Sequence, residues 1–408
     1  MTALPTGSAT VNRVLKGQLC TGCGLCAGVS DGALTMTTEA PGYARPQGVA
    51  SVSAQNEKRI AAACPGAQVA PWTTEANRHI SWGPWIDCMT GYATDPTIRH
   101  GGSSGGAISA LAIHALRTGL VEKVLHIAPD PDHPTRNILA WSTTAEDVLD
   151  RAGSRYAASS PLATIDAALD EGRPFALIGK PCDISALRQL AKVDPRVDRI
   201  VPLTLSFFCG GLPSHAGADR IIRSMGLQPD EVTAFRYRGN GWPGLTIADT
   251  ADGRQGTMQY EHSWGGHLSK EVQFRCKICP DAVGGVADIA CADAWYGGES
   301  GYPQFEEQAG RSLIMTRTDR GSAFLNDAMS KAVVEAQPLN IAEIDLMQPS
   351  QARRKRLVAA RLMACRLTAQ PVPRMKQLCV GEASRTAAFT ESLKNMLGTI
   401  RRITTNSR

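Results

Sequence analysis

Three cysteines, Cys20, Cys23 and Cys26, stand at two-residue spacings inside the glycine-rich stretch QLCTGCGLCAG. Thiolates spaced in this way can be turned toward one centre, a geometry that suits a soft metal group better than a hydrophobic core. An iron–sulfur cube needs four such donors. A C-x2-C-x2-C loop supplies three, and its small residues let backbone amides face the sulfides. The fourth arrives from farther along the chain, often before a proline, and Cys64-Pro65 fits that place. The spacing therefore assigns Cys20, Cys23, Cys26 and Cys64 to one [4Fe-4S] cluster. A structural zinc site is the competing reading, although zinc modules favour paired C-x2-C hooks over a triplet with a remote Cys-Pro. The C-x3-C-x2-C loop of radical enzymes is also absent, which favours electron transfer.

A second group centres on FRCKICPDAVGGVADIACADAWYG, where Cys276 and Cys279 form a single C-x2-C hook. A hook gives two ligands. Cys182 and Cys209 each fall where an apolar strand pattern ends, and they supply the other two, with Cys291 as the competing ligand. Cys291 lies within an apolar strand pattern, where a free cysteine behaves as a small hydrophobe. Cys88, Cys365 and Cys379 have no partner at ligand spacing and read as structural.

Ser103, Ser104, Gly105 and Gly106 make a Gly/Ser turn ahead of a helical pattern, and such a turn presents amides and a helix dipole to an anion. Alone the signal is weak, since the order is neither G-x-G-x-x-G nor a Walker loop. Two single-electron centres strengthen it, because they commonly serve a flavin that also handles electron pairs. Arg155 and Tyr156 are candidates for pairing with a phosphate and stacking on a ring, and Lys180 joins this cofactor-binding set at the turn Lys180-Pro181-Cys182. Among polar groups near these loops, His262, Trp264, His267, Asp288 and Asp293 stand out. His262 is the candidate proton donor, by virtue of an imidazole's near-neutral pKa, and Asp293 reads as structural.

The elements that must position these groups follow an α/β order. SSGGAISALAIHALRTG has helical spacing, EKVLHIA reads as a buried strand, and RPFALIGKPCDISALRQLA and VPLTLSFFCGGLPSHAGADRIIRSMG each repeat strand, turn, helix. In open α/β sheets ligands sit outside the carboxyl ends of the strands, where Cys182 and Cys209 fall. Glu231 to Tyr260 alternates short β runs with Gly and Asp turns, which predicts an antiparallel meander, and DIACADAW adds one more strand. Residues 1 to about 75 have weak periodicity and read as a loop-rich module held by its cysteines.

At 408 residues and 12 cysteines, the chain is long enough to bury cores without cross-links. With no apolar leader and no run long enough to span a membrane, the expectation is a soluble, cytoplasmic protein, where clustered cysteines bind metal. The net charge of +5 is concentrated in the stretch from Leu346 to Gly381, which carries eight Lys/Arg and no acid. The arginines of ARRKRLVAARL lack interleaved aromatics, so nucleic acid is not expected.

Taken together, CTGCGLCAG, SSGGAISAL, GKPCDISALRQL, SFFCGG and the segment holding Cys276 and Cys279 resemble the coenzyme F420 hydrogenase/dehydrogenase beta-subunit family. The resemblance implies an iron–sulfur flavoprotein with FAD, cluster ligands at Cys182, Cys209, Cys276 and Cys279, and flavin contacts near the SSGG turn. The additional N-terminal triplet is similar to that of two-cluster, ferredoxin-linked members. CAGVSDGAL departs from relatives that run into a nearby Cys-Pro, so the fourth ligand falls to Cys64. The expected fold is α/β (α+β), with a ferredoxin-like N-terminal cluster module (1–78), beta-subunit N-terminal (79–165) and C-terminal (166–340) domains, and a basic helical tail (341–408). The expected function is electron transfer between ferredoxin and a small organic substrate through two [4Fe-4S] clusters and FAD, the basic tail suiting an acidic donor. The alternatives are a beta subunit reducing a deazaflavin within a larger hydrogenase or dehydrogenase complex, and a non-catalytic iron–sulfur redox sensor.

Overall fold

The structure is a computed structural model and describes residues 6–75, 77–297 and 304–405. Its frame is an eight-stranded mixed sheet in the order Val334–Pro338, Cys88–Ala93, Ser312–Thr316, Ile289–Asp293, Leu203–Phe207, Phe175–Gly179, Lys123–Pro129, Asn137–Ser142. The strands beginning at Ile289, Leu203, Phe175 and Lys123 run parallel to one another, and antiparallel neighbours flank them.

Parallel strands covered on both faces can carry a continuous apolar run rather than an alternating one. FALIG shows this: Phe175 and Leu177 pack in one core, while Ala176 and Ile178 pack in the core on the opposite face. The helix Ala107–Arg117 covers the second face through Ala110, Leu111 and Ile113. The helix Pro181–Leu190 covers the first through Ile184 and Leu187. Pro181 presets its first turn, and the Lys180 amide donates to Asp183 Oδ2 at 3.0 Å, which fixes the bend between strand and helix. Val232–Arg236, Leu245–Thr250 and Gln255–Gln259 form the expected antiparallel meander.

The N-terminal region is more ordered than its weak periodicity suggests. Helices Ala9–Lys16 and Ala54–Ala63 are capped by Ser8 and Ser53, and a hairpin joins Leu34–Glu39 to Tyr43–Gly48. The region shares its core with the sheet. Leu25, Val29 and Ile60 pack with Phe175, Ile184 and Leu187, and Arg59 pairs with Asp194 at 2.8 Å. The tail consists chiefly of the helices Pro349–Leu367 and Phe389–Thr404, and its strand Arg374–Met375 pairs in parallel with Gln68–Val69. No described helix is long and apolar enough to cross a membrane.

His126, on the strand Lys123–Pro129, is buried with Nε2 2.7 Å from Ser142 Oγ. Burial, reinforced by Arg151, holds its pKa down at about 4. An unfolded histidine titrates near 6.5, so between these values the unfolded chain binds the extra proton. The contribution is present above pH 6.5 and is lost as pH falls toward 4. We expect about 2 kcal/mol of destabilisation at pH 5 from this residue. Denaturant titrations at pH 7 and pH 5 should show a smaller pH dependence in His126→Gln; an unchanged dependence would refute the assignment.

Candidate functional site

The carboxyl ends of the parallel strands open into a cavity of about 770 Å3, a volume typical of cofactor pockets at roughly 300–1,000 Å3. Three sequence segments meet there: the turn at 102–106, the turn at Gly179 and Lys180, and the loop 207–212.

Cys20, Cys23, Cys26 and Cys64 lie within electrostatic reach of one another. Gly22 and Gly24 take positive φ (77° and 83°), which lets the loop wind back on itself, and a Cβ at Gly24 would lie 2.8 Å from Ala163 N. The Gly22 amide donates to Cys20 Sγ at 3.4 Å. Cys64 caps the helix Ala54–Ala63, so the helix carries the fourth thiol to the group. Burial pushes the Cys23 and Cys26 thiols well above their ordinary range and Cys64 up to about 11.

Cys182, Cys209, Cys276 and Cys279 form the second gathering. The Leu212 amide donates to Cys276 Sγ at 3.4 Å, and Gln273 Nε2 to the same sulfur at 3.6 Å. Gly211 has φ 117°, and a Cβ there would meet Val272 at 2.5 Å. Burial raises the Cys182 and Cys279 thiols and pushes Cys209 up to about 12. Cys291 is packed in the sheet core with Ile289 and Ile314, and its charged neighbour is Arg317 rather than the other thiols. The eight cysteines of the two groups are free thiols. Among the described residues, no three Cys, His, Asp or Glu side chains converge as a single ion requires. Two groups of four soft donors, each with a backbone amide aimed at sulfur, fit the chemistry of sulfur-ligated iron clusters.

Lys180 sits between the second group and the cavity. Its Nζ is 2.8 Å from Asp183 Oδ2 and donates to Ser159 Oγ at 2.9 Å. Burial alone would lower its pKa, but Asp183 and then Cys182 outweigh that and raise it. Asp183 Oδ1 is buried without a partner.

The Gly/Ser turn is more committed than its sequence indicates. Gly105 N–H donates to Ser312 Oγ at 2.9 Å, Ser104 Oγ donates to Arg311 O at 2.9 Å, and Ser103 Oγ accepts from Ser154 N–H. Gly106 caps the helix with φ 72°, and Ala107, Ile108 and Ser109 of its first turn line the cavity. Arg155 lines it too, yet spends four hydrogens on Asn137 Oδ1 and the carbonyls of Phe235, Pro134 and Arg136. It is foremost a brace. Tyr156 borders the cavity and packs against Trp264, ring centroids 4.9 Å apart.

His262 requires a correction. It is exposed and outside the cavity lining, because the π-helix His262–His267 turns Ser263 inward and Trp264 toward the cavity instead. Asp288 is wholly buried between Arg188 and Arg320. Asp293 forms a two-point pair with the buried Arg238 at 2.7 and 2.8 Å and accepts from Trp242 Nε1 at 2.7 Å. Arg238 lies over the rings of Tyr260 and Trp295. No local motif marks Arg238 as a member of this wall.

The tail differs most from its sequence reading. Arg354 donates to the carbonyls of Cys209 and Gly210, Gln351 to Cys209 O at 2.9 Å, Lys355 to Pro280 O and Leu378 O, and Arg361 to Lys277 O. These side chains clamp the loops that carry the second thiol group. Arg366, Arg374 and Lys376 remain exposed.

Fold and site together define a mixed α/β chain with two groups of four sulfur donors, one in the N-terminal region and one beside a cavity at the strand ends. Two family models for the beta subunit of coenzyme F420 hydrogenase/dehydrogenase match it, the N-terminal one over residues 88–165 and the C-terminal one over 172–341. The chain belongs to this family. The coenzyme F420 hydrogenase subunit beta of Methanococcus voltae is 26% identical over 308 residues, spanning 72% of this chain and 100% of that one. The F420-dependent formate dehydrogenase 1 subunit beta of Methanococcus maripaludis is 28% identical over 251 residues, 61% of this chain and 60% of that one. The chloroplastic 7-hydroxymethyl chlorophyll a reductase of Oryza sativa subsp. japonica is 22% identical over 236 residues, 57% of this chain and 47% of that one. These relatives are a hydrogenase subunit, a dehydrogenase subunit and a reductase. In fold, the chain is similar to one in the F420-reducing [NiFe] hydrogenase complex from Methanosarcina barkeri. The TM-score is 0.55 at 20% identity, covering 74% of this chain and 99% of that one.

Arg354→Met removes two charged hydrogen bonds from the Cys209 loop. The expected loss is about 2 kcal/mol, read as a lower midpoint in denaturant titration; a midpoint equal to that of the parent would show that the clamp contributes nothing.

Proposed function

We propose that this chain is an iron–sulfur flavoprotein oxidoreductase. Cys20, Cys23, Cys26 and Cys64 would hold one [4Fe-4S] cluster, Cys182, Cys209, Cys276 and Cys279 a second, and the cavity an FAD. The supporting observation is the order of these parts. Cys209 and Cys276 line the cavity, while Cys23 of the first group lies near Asp183, next to Cys182. Such clusters exchange single electrons and a flavin exchanges one or two, a combination that couples a one-electron carrier to an organic substrate.

The chain's own residues prepare that site. The first turn of the helix Ala107–Arg117 offers amides and the positive end of its dipole to a diphosphate. Tyr156 and Trp264 give one wall two adjoining rings for a planar ligand. Lys180, held by Asp183 and Ser159, keeps a positive charge beside the sulfur donors and favours the arrival of negative charge. The carrier is ferredoxin or a similar acidic protein, for which Arg366, Arg374 and Lys376 form a basic edge. We place the chain in the cytoplasm, where the eight thiols of the two groups stay reduced.

A second reading keeps the chemistry and makes the chain a beta subunit that exchanges electrons with coenzyme F420 inside a larger complex. The full-length match to the Methanococcus voltae protein favours it. Partner proteins that copurify would distinguish the two.

Anaerobic purification should give about eight irons and one flavin per chain; zinc without flavin would overturn the reading. Cys276→Ser should abolish one cluster's electron paramagnetic resonance signal and preserve the other, and loss of neither would show that the ligands are misassigned.

A further inference from the structure

One buried arginine joins the two thiol groups. Arg275 immediately precedes Cys276 in the short helix Phe274–Lys277, and its Nη2 donates at 3.1 Å to the carbonyl of Pro65, the residue after Cys64. A single side chain therefore spans from the backbone of one group to that of the other. It is 2% exposed, and its Nε has no hydrogen-bond partner. Its charge is felt by Cys64 on one side and by Cys279 on the other. Arg354 and Lys180, by contrast, face thiols of the second group: Cys209 and Cys279 for Arg354, Cys182 and Cys209 for Lys180.

A guanidinium does not deprotonate in a protein, and its forked donors keep their charge where an ammonium can lose it. A buried donor left unpaired is costly, so the free Nε is open to an acceptor. Sulfur-ligated iron becomes more negative by one charge on reduction, and hydrogen bonds and nearby charge are among the influences that set its potential. A fixed cation in a dry setting acts on that charge more strongly than one in water.

We infer that Arg275 is a shared electrostatic bridge between the two thiol sites, raising the reduction potential of both so that they stay matched for electron passage. This rests on the two-cluster reading above. It makes Arg275 a tuning residue that touches neither substrate nor flavin.

The test is a reductive titration of the purified holoprotein, followed by electron paramagnetic resonance at both clusters, in the parent, Arg275→Gln and Arg275→Lys chains. Iron is counted first. A parent with fewer than two clusters refutes the functional reading itself, whereas a parent with two leaves only the role of Arg275 in question. In Arg275→Gln, both reduced-to-oxidised ratios at a fixed poise should fall about tenfold, equivalent to about 59 mV for a one-electron couple. Arg275→Lys, which keeps the charge, should stay within about threefold of the parent at both sites. A shift at one site alone, or at neither, overturns the proposal. Should Arg275→Gln fail to load iron, Arg275→Lys decides: parent-like potentials support the bridge, and a tenfold fall at either site refutes it. Failure of both variants to load iron also refutes it, in favour of a purely structural arginine.

Discussion

Eight thiols lie in two adjoining groups, three of them buried and five partly so, and thiolates held so closely repel each other as they lose water. The rest of the molecule is arranged around that constraint. Amides of Gly22 and Leu212 point at sulfur, and the ammonium of Lys180 and the guanidinium of Arg354 stand beside the second group. The sheet supplies the rigid base: Cys182 and Cys209 sit just past the ends of neighbouring parallel strands, so their separation is set by strand pairing.

A rigid base does not by itself hold the intervening loops. The loop after Phe207 carries two glycines, and the hook at Cys276 rests on a single helical turn. Their stiffness comes from outside, through the helix Pro349–Leu367, whose basic side chains end on carbonyls of these loops. A cation on a carbonyl places no negative group near sulfur, whereas a carboxylate clamp would add to the repulsion.

The strand FALIG was legible because it is apolar on both faces, and the triplet because three cysteines at one spacing have few uses besides gripping a common centre. The meander showed itself through its Gly and Asp turns. The tail did not, for a physical reason: Arg353, Arg354, Lys355 and Arg356 are consecutive and cover every face of the helix. Which of them turns inward depends on carbonyls such as that of Cys209, about 145 residues away in the chain. His262 failed similarly, since a stretch rich in Gly and polar groups does not say which way a π-helical turn faces. The N-terminal helices were hidden by composition: Ala54–Ala63 is largely alanine and polar residues, and Ile60 is its one large apolar side chain, buried beside Ala63.

The short parallel pairing of Gln68–Val69 with Arg374–Met375 fastens the tail to the N-terminal region. It also sets a calendar for biosynthesis. The first thiol group is complete in sequence by Cys64 but lacks the part of its wall made by Phe175 and Ile184 until those residues have left the ribosome. The second waits for Cys279 and is clamped only when Gln351, Arg354 and Arg361 follow. A nascent chain thus keeps its second thiol group unclamped until the helix Pro349–Leu367 has emerged.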